Sequence, residues 1–307
     1  MLRFVTHRVL IAIPTLFLIV TLSFFLIRLA PGGPFHLERP LDARIMANLE
    51  QLYHLDRPLW RQYLDYLSGL VRGDFGPSFV FRDFSVADLI RAGLPTSVQI
   101  GSAALALALA VGLLLGAVAA LHQNRSIDYA VIGAATFGLT VPTFVFAPVV
   151  SLIFGVWLRW LPPGGWGDGA LANRILPIVT LALPQIAIIT RLTRGSMIEA
   201  LRSNHIRTAR ANGLNWRRVV VNHALRGAVL PVISYLGPAA AALLTGSVVV
   251  ETIFQIPGIG RYFVSAALAR DYTLVMGTVI IVAAFVLAFN LLVDVLYAAL
   301  DPRVRYD

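Results

Sequence analysis

The sequence predicts an all-α integral membrane protein with six transmembrane helices and a small extramembrane segment after helix 1. Three observations carry that reading. Of 307 residues, 58% are hydrophobic and only 13% charged, about half the charge of an ordinary soluble domain, and the mean hydropathy is +0.77. Long uncharged runs recur along the chain. The net charge of +9 comes almost wholly from one loop, which is how a multi-pass protein fixes its orientation.

A helix needs roughly 20 apolar residues to cross a bilayer core of about 30 Å. The first run, 9–27, is uncharged over 19 positions. Arg3 and Arg8 precede it as in a signal peptide. The run is longer than such a segment needs and no small-x-small cleavage site follows, so it reads as a retained helix. Pro31-Gly32-Gly33-Pro34 stops it. Residues 30–93 then hold seven arginines and eight acids, a net −1, and form the extramembrane segment. Within it Leu59, Tyr63, Tyr66, Leu67 and Leu70 recur at helical spacing around Arg61, Gln62 and Asp65, and Gly73-Asp74-Phe75-Gly76-Pro77-Ser78 makes a turn.

The second and third runs, 92–121 and 129–158, each extend over 30 positions without a charge. The fourth, 175–190, has only 16, roughly 24 Å at 1.5 Å per residue, and spans if Arg174 and Arg191 snorkel from its ends. The fifth and sixth, 227–250 and 272–293, have 24 and 22. Six spans put both termini on one side. The loop 191–227 holds eight arginines against Glu199 alone, a net +7, whereas 159–174 gives +1 and 251–271 gives zero. The arginine-rich loop and both termini are therefore expected on the cytoplasmic side.

Composition also excludes chemistry. All 25 basic side chains are arginine, so no P-loop lysine and no Schiff base are available. With no cysteine there is no disulfide, thiolate zinc site or cysteine nucleophile. The six histidines are scattered, and neither H-E-x-x-H nor G-x-S-x-G occurs. No catalytic residue and no metal ligand is expected. The positive charge sits in one loop of a greasy chain, so the expected surroundings are membrane lipid and no nucleic acid.

The arginine-rich loop reads as two helices. One covers 199–211 and stops at Asn212-Gly213, where glycine takes the left-handed conformation. Asn215 caps a second over 216–225, ending at Gly227. Trp216 at the elbow among arginines is interface chemistry. Two readings fit: a docking knob for another protein, or a basic loop skirting the membrane that only fixes topology. Inside the spans, Thr136, Thr140, Thr143, Gln185, Ser234 and Asn290 either line a wet path or hydrogen-bond between helices; Thr140, Gln185 and Asn290 are the candidate lining residues. Asp294 is the one acid in a terminal span and is expected to pair with Arg191 or Arg194, a proton relay being the alternative. Arg28 either snorkels or touches a peptide or binding protein.

The chain also carries blocks that resemble a known family. They are Met-Leu-Arg-Phe at the start, Arg28-Leu29-Ala30-Pro31-Gly32-Gly33-Pro34, Gly73-Asp74-Phe75-Gly76-Pro77-Ser78, Arg194-Gly195-Ser196-Met197 and Ile206-Arg207-Thr208-Ala209-Arg210-Ala211-Asn212-Gly213. Gly246-Ser247, Glu251-Thr252-Ile253-Phe254-Gln255-Ile256-Pro257-Gly258-Ile259-Gly260 and Asp294-Val295-Leu296-Tyr297 with Asp301-Pro302-Arg303 complete the set. Together and in this order they resemble the B-type membrane permease subunit of bacterial oligopeptide and dipeptide ABC importers.

The resemblance implies a type I ABC importer permease fold, multi-pass in the bacterial inner membrane. Its organisation would be an N-terminal transmembrane helix over 1–29, a periplasmic segment over 30–93, a permease core over 94–300 and a cytoplasmic tail over 301–307. It implies an ATPase-coupling loop over 199–226 with contacts through Arg207, Ala209, Gly213, Leu214, Trp216 and Arg217. The implied partners are a second homologous permease, two ATP-binding subunits that hold ATP and Mg, an extracytoplasmic peptide-binding protein and the peptide itself. The chain would be a transport subunit with no cofactor of its own, not an enzyme. Importer permeases carry E-A-A-x-x-x-G, nine residues, then I-x-L-P in this loop; here Arg207-Thr208-Ala209 stands on E-A-A and His223-Ala224-Leu225-Arg226 on I-x-L-P. That departure removes any role needing a carboxylate at 207. Dipeptide, nickel and modified-peptide importers share much of the pattern. A self-sufficient secondary carrier would want intramembrane charges, and beyond Asp294 there are almost none.

Overall fold

The structure is a computed structural model and describes residues 2–29, 33–35, 42–81 and 83–300. The expected tail, 301–307, lies outside the described residues, as do Pro31 and Gly32 of the expected stop signal. The described chain is all helical apart from one isolated bridge between Pro77 and Ser85. Helix α1 (Leu2–Leu29) is followed by the short α2 (Ala43–Leu52) and α3 (Leu59–Val71) of the extramembrane segment. Next come α4 (Val86–Leu121), α5 (Ser126–Thr140), α6 (Thr143–Val150) and α7 (Leu171–Arg202). Helix α8 (Asn204–Ala211) and the one-turn α9 (Trp216–Val219) form the arginine-rich loop, and α10 (Leu225–Ile253), α11 (Ile259–Leu268) and α12 (Tyr272–Leu300) complete the chain.

Among the described residues five helices are long and apolar enough to cross a membrane, or six if one bent pair counts as a single span. The third uncharged run is not one straight helix: α5 and α6 meet at 102°. Pro142 is the cause. It has no N–H to donate and pushes Val141 into an extended conformation (ψ 116°). The fourth run behaves in the opposite way. Counting uncharged residues undersized it, because α7 continues through both flanking arginines for 32 residues, about 48 Å. Arg174 lays its guanidinium over Trp166, 5.0 Å from the ring centre. The fifth span also starts early: α9 passes through a π-turn (Val220–Ala224) straight into α10, so no break occurs at Gly227.

Close approach of α4 and α7 makes the centre. Ala104, Ala108, Gly112, Gly116 and Ala120 recur every four residues along α4, and all five are buried. Without a hydrophobic drive between helices in lipid, such small residues let backbones come within van der Waals range. A methyl group at Gly112 would lie 2.7 Å from Ile189 Cγ2, and one at Gly116 would lie 2.7 Å from the Thr190 carbonyl oxygen. Helix α10 covers this pair through Val232, Leu243 and Val250.

Four buried or half-buried polar groups lock the remaining helices. Asp294 pairs with Arg8 (3.1 Å), so the start of α1 and the far half of α12 lie at the same end of the molecule. At that end Arg194 donates two hydrogen bonds to Asp128, 2.6 and 2.7 Å, tying α7 to the first turn of α5. At the opposite end Asp271 accepts from the Ser78 hydroxyl (2.5 Å), the Val80 N–H (3.1 Å) and the Leu274 N–H (3.1 Å), fastening the extramembrane segment to the start of α12. Glu251, fully buried, accepts from the Ser97 hydroxyl (2.6 Å) and the Gly260 N–H (2.7 Å) and so joins α10, α4 and α11.

The Asp128–Arg194 pair gives a first expected outcome. Asp128→Ala strands a guanidinium whose side chain is 27% exposed, so it should cost about 2 kcal/mol, below the value for a fully buried pair. The double variant Asp128→Ala with Arg194→Leu should recover most of that loss. Thermal unfolding of the purified subunit checks both; equal destabilisation of single and double variants would contradict the assignment.

Candidate functional site

The arginine-rich elbow is built from local rules. Ser203 turns extended (ψ 156°) and ends α7 one residue after Arg202, so the expected single helix over 199–211 is two helices with a corner between them. Helix α8 then ends as the sequence requires. Gly213 adopts φ 74°, its N–H bonds to the Arg210 carbonyl, and the Leu214 N–H bonds to the Ala209 carbonyl. This pair of bonds is the Schellman closure of a helix. Asn215 accepts from the Arg217 N–H (3.0 Å) and opens α9.

One face of the elbow is packed and the other is bare. Ile206 and Ala209 of α8 are buried with Met197, Val219, Ala224, Ala228 and Ala120, and Leu214 packs against the same cluster. Arg202 donates to Gln123 beyond the end of α4 (3.1 Å). The elbow is thus mounted on α4, α7 and α10 together. Arg207, Arg210, Asn212, Gly213, Trp216, Arg217 and Arg218 are exposed. Trp216 is 48% exposed, with the Arg210 guanidinium 5.4 Å from its ring centre. A hollow of about 970 Å³ between the elbow and the start of α10 is lined by His205, Arg218, His223 and Arg226 among others. Of the six expected contact residues, four are on the bare face; Ala209 and Leu214 hold the elbow onto its own subunit.

Several sequence-based expectations are corrected. Asp294 does not meet Arg194, because each has another partner: Arg8 for Asp294 and Asp128 for Arg194. Helix α1 packs beside α12 and brings Arg8 within reach, while α7 lies beside α5. Gln185, expected on a path, is only 6% exposed and accepts the Tyr235 hydroxyl (2.7 Å), joining α7 to α10. Thr140 is exposed and bonds back to the Thr136 carbonyl (2.8 Å). Asn290 is exposed on α12 with its side chain against Gly237 of α10. Of the three candidate lining residues, Gln185 is thus buried between helices, and Thr140 and Asn290 are exposed. Arg28 does not snorkel freely either: its guanidinium stacks 3.6 Å from the Phe24 ring centre and its Nε donates to Gln62 (3.2 Å). Beside it burial pushes the Tyr66 phenol above its ordinary range, so the hydroxyl stays protonated and able to donate.

Asp128, Asp271, Glu251 and Ser97 were not singled out from the sequence. A signal for the acids exists: each stands at the edge of an uncharged run, and Asp271 precedes Tyr272-Thr273-Leu274 as a helix cap would.

Comparison with known proteins agrees with this architecture. Residues 112–306 match the family described as "Binding-protein-dependent transport system inner membrane component", and residues 1–99 match the corresponding N-terminal family. The oligopeptide transport system permease protein OppB of Escherichia coli (strain K12) is 54% identical over 306 residues, covering 100% of both chains. OppB of Haemophilus influenzae is 50% identical with the same coverage. The dipeptide transport system permease protein DppB of Bacillus subtilis is 41% identical, covering 99% of this chain and 98% of its own. With the match spanning most of its length, this all-helical chain belongs to the family of inner membrane components of binding-protein-dependent transport systems.

Proposed function

We propose that this chain is the membrane-spanning permease subunit of an ATP-driven importer of oligopeptides. It forms half of a translocation path with a second homologous permease, and its elbow docks onto one of two ATP-binding subunits that hold ATP and Mg. An extracytoplasmic peptide-binding protein delivers the peptide, and the elbow and both termini face the cytoplasm. The observation that carries the reading is the elbow itself. It is a capped helix locked by one face onto three membrane helices, with an arginine and tryptophan face left bare. A rigid mount of this kind transmits a displacement of the partner to α4, α7 and α10, which a flexible loop would not. The +7 of this loop supports the cytoplasmic placement. Identity favours oligopeptides over dipeptides, at 50–54% to OppB relatives against 40–41% to DppB relatives.

The test is reconstitution in liposomes with both permeases, the ATPases and the binding protein. Wild type should take up oligopeptide only with ATP. Trp216→Ala removes a half-exposed side chain and should leave insertion and expression intact while abolishing uptake. Gly213→Pro should do the same by destroying the φ 74° closure. Uptake without ATP, or normal uptake in both variants at normal expression, would defeat the reading.

A further inference from the structure

At the end opposite the elbow, α1, α3 and the start of α12 enclose a cavity of about 350 Å³ lined by Arg28, Tyr53, His54, Gln62, Tyr66 and Thr273 among others. Arg28 is the notable occupant. A guanidinium has five N–H donors in a planar fork suited to a carboxylate. Here Nε is used on Gln62 (3.2 Å), Nη1 faces only the Met276 sulfur (3.6 Å), and the flat face lies over Phe24. Among the described residues no carboxylate is paired with it. Asp65, the one acid among the described residues that line the cavity, is held by Arg57 at 2.9 Å. The Tyr66 hydroxyl is buried and has no hydrogen-bond partner in the described structure. A half-buried cation without a carboxylate and a buried hydroxyl without a partner line one cavity. The buried hydroxyl is costly unless a partner arrives from outside, and the half-buried guanidinium beside it selects an anionic acceptor.

We propose that Arg28 and Tyr66 form a carboxylate-binding site, entered from the extracytoplasmic side by a carboxylate that accepts from the guanidinium and the Tyr66 hydroxyl. The cavity lies between the extramembrane segment and the ends of two spans, so it is open to what docks on that face. This rests on the orientation given under Proposed function. The carboxylate comes either from an acidic side chain of the peptide-binding protein or from the terminus of the peptide.

The experiment uses the full complex in lipid nanodiscs, with wild-type ATP-dependent uptake as the control for the functional reading. If that control fails, the functional reading falls. If it holds, the variants address the site alone. The probes are the purified binding protein without peptide, and one oligopeptide prepared with a free and with an amidated C-terminus. If the carboxylate belongs to the binding protein, Arg28→Gln weakens its docking about tenfold, Tyr66→Phe about threefold, and Arg28→Lys falls between. If it belongs to the peptide, docking is unchanged, and KM rises by those factors for the free acid but not for the amide. Tyr66→Phe is decisive even if Arg28→Gln fails to assemble. A hydroxyl without an internal partner contributes nothing to stability, so a purely structural role predicts that Tyr66→Phe changes neither measurement. Unchanged docking and unchanged KM in Tyr66→Phe and Arg28→Lys overturn the proposal.

Discussion

Gly116→Leu is expected to abolish a stable, monodisperse subunit. A Cβ at this position would lie 2.5 Å from Thr193 Cβ and 2.7 Å from the Thr190 carbonyl oxygen, and leucine adds three further carbons beyond it. The obstacle is backbone on a neighbouring helix, so no rotamer change relieves it. Overpacking usually costs about 1–3 kcal/mol when side chains can yield. Here α4 and α7 must separate, opening the interface that buries Ala104, Ala108, Ile189 and Thr193. The same separation pulls Ala120 from Met197 and unseats the elbow. Gly133→Leu is the matched control: it faces open space, with nothing within 4 Å of a Cβ. Size-exclusion chromatography of the two variants checks the contrast. A monodisperse Gly116→Leu subunit melting with wild type would show that α4 and α7 do not meet as described.

The features legible in the sequence are those set by short-range chemistry. Gly213 and Asn215 close and reopen the elbow as their residue types require, with φ 74° at the glycine and a side-chain cap at the asparagine. Uncharged length located the five long apolar helices and the bent pair. It misjudged α7 because arginine stems pack along a helix that continues past the apolar run, and it missed the bend at Pro142 because composition carries no angle. Pairing was the least legible feature. Asp294 and Arg194 are both near the arginine-rich end, yet which helices adjoin there depends on packing across the whole bundle. The Gln185 amide looked like path lining, but residues on one face of α7 can be read only once its neighbour Tyr235 is known. The elbow was therefore readable locally, while the anchors that hold it to α4, α7 and α10 were not.

Glu251→Ala is expected to release α11. This helix begins against two other helices with its first three amides satisfied from outside. The Ile259 N–H bonds to Ser97 Oγ (2.9 Å), and the Gly260 and Arg261 N–H groups bond to Glu251 Oε2 (2.7 and 3.3 Å), while Ser97 in turn donates to Glu251 Oε1 (2.6 Å). A carboxylate at a helix N-terminus also complements the helix dipole. Both nearby glycines are part of the fit: a Cβ at Gly258 would overlap the Glu251 carboxylate, and one at Gly260 would lie 2.8 Å from the Val248 nitrogen. Alanine at 251 strands two amides and the Ser97 hydroxyl in a dry site and leaves a cavity, a loss of about 3 kcal/mol or more. Glu251→Gln keeps the shape and one acceptor and should cost less. Ser97→Ala should cost about 1 kcal/mol alone and much less once Glu251 is already alanine, because the two side chains act as one network. Thermal unfolding of the four variants gives the energies, and hydrogen exchange at Ile259, Gly260 and Arg261 gives the place. Loss of protection at these amides in Glu251→Ala, with the arginine-rich elbow unchanged, is the expected pattern. Retained protection there would mean that α11 is held by its apolar face, Ile259 and Ala266 against Val86 and Leu274, and not by the carboxylate.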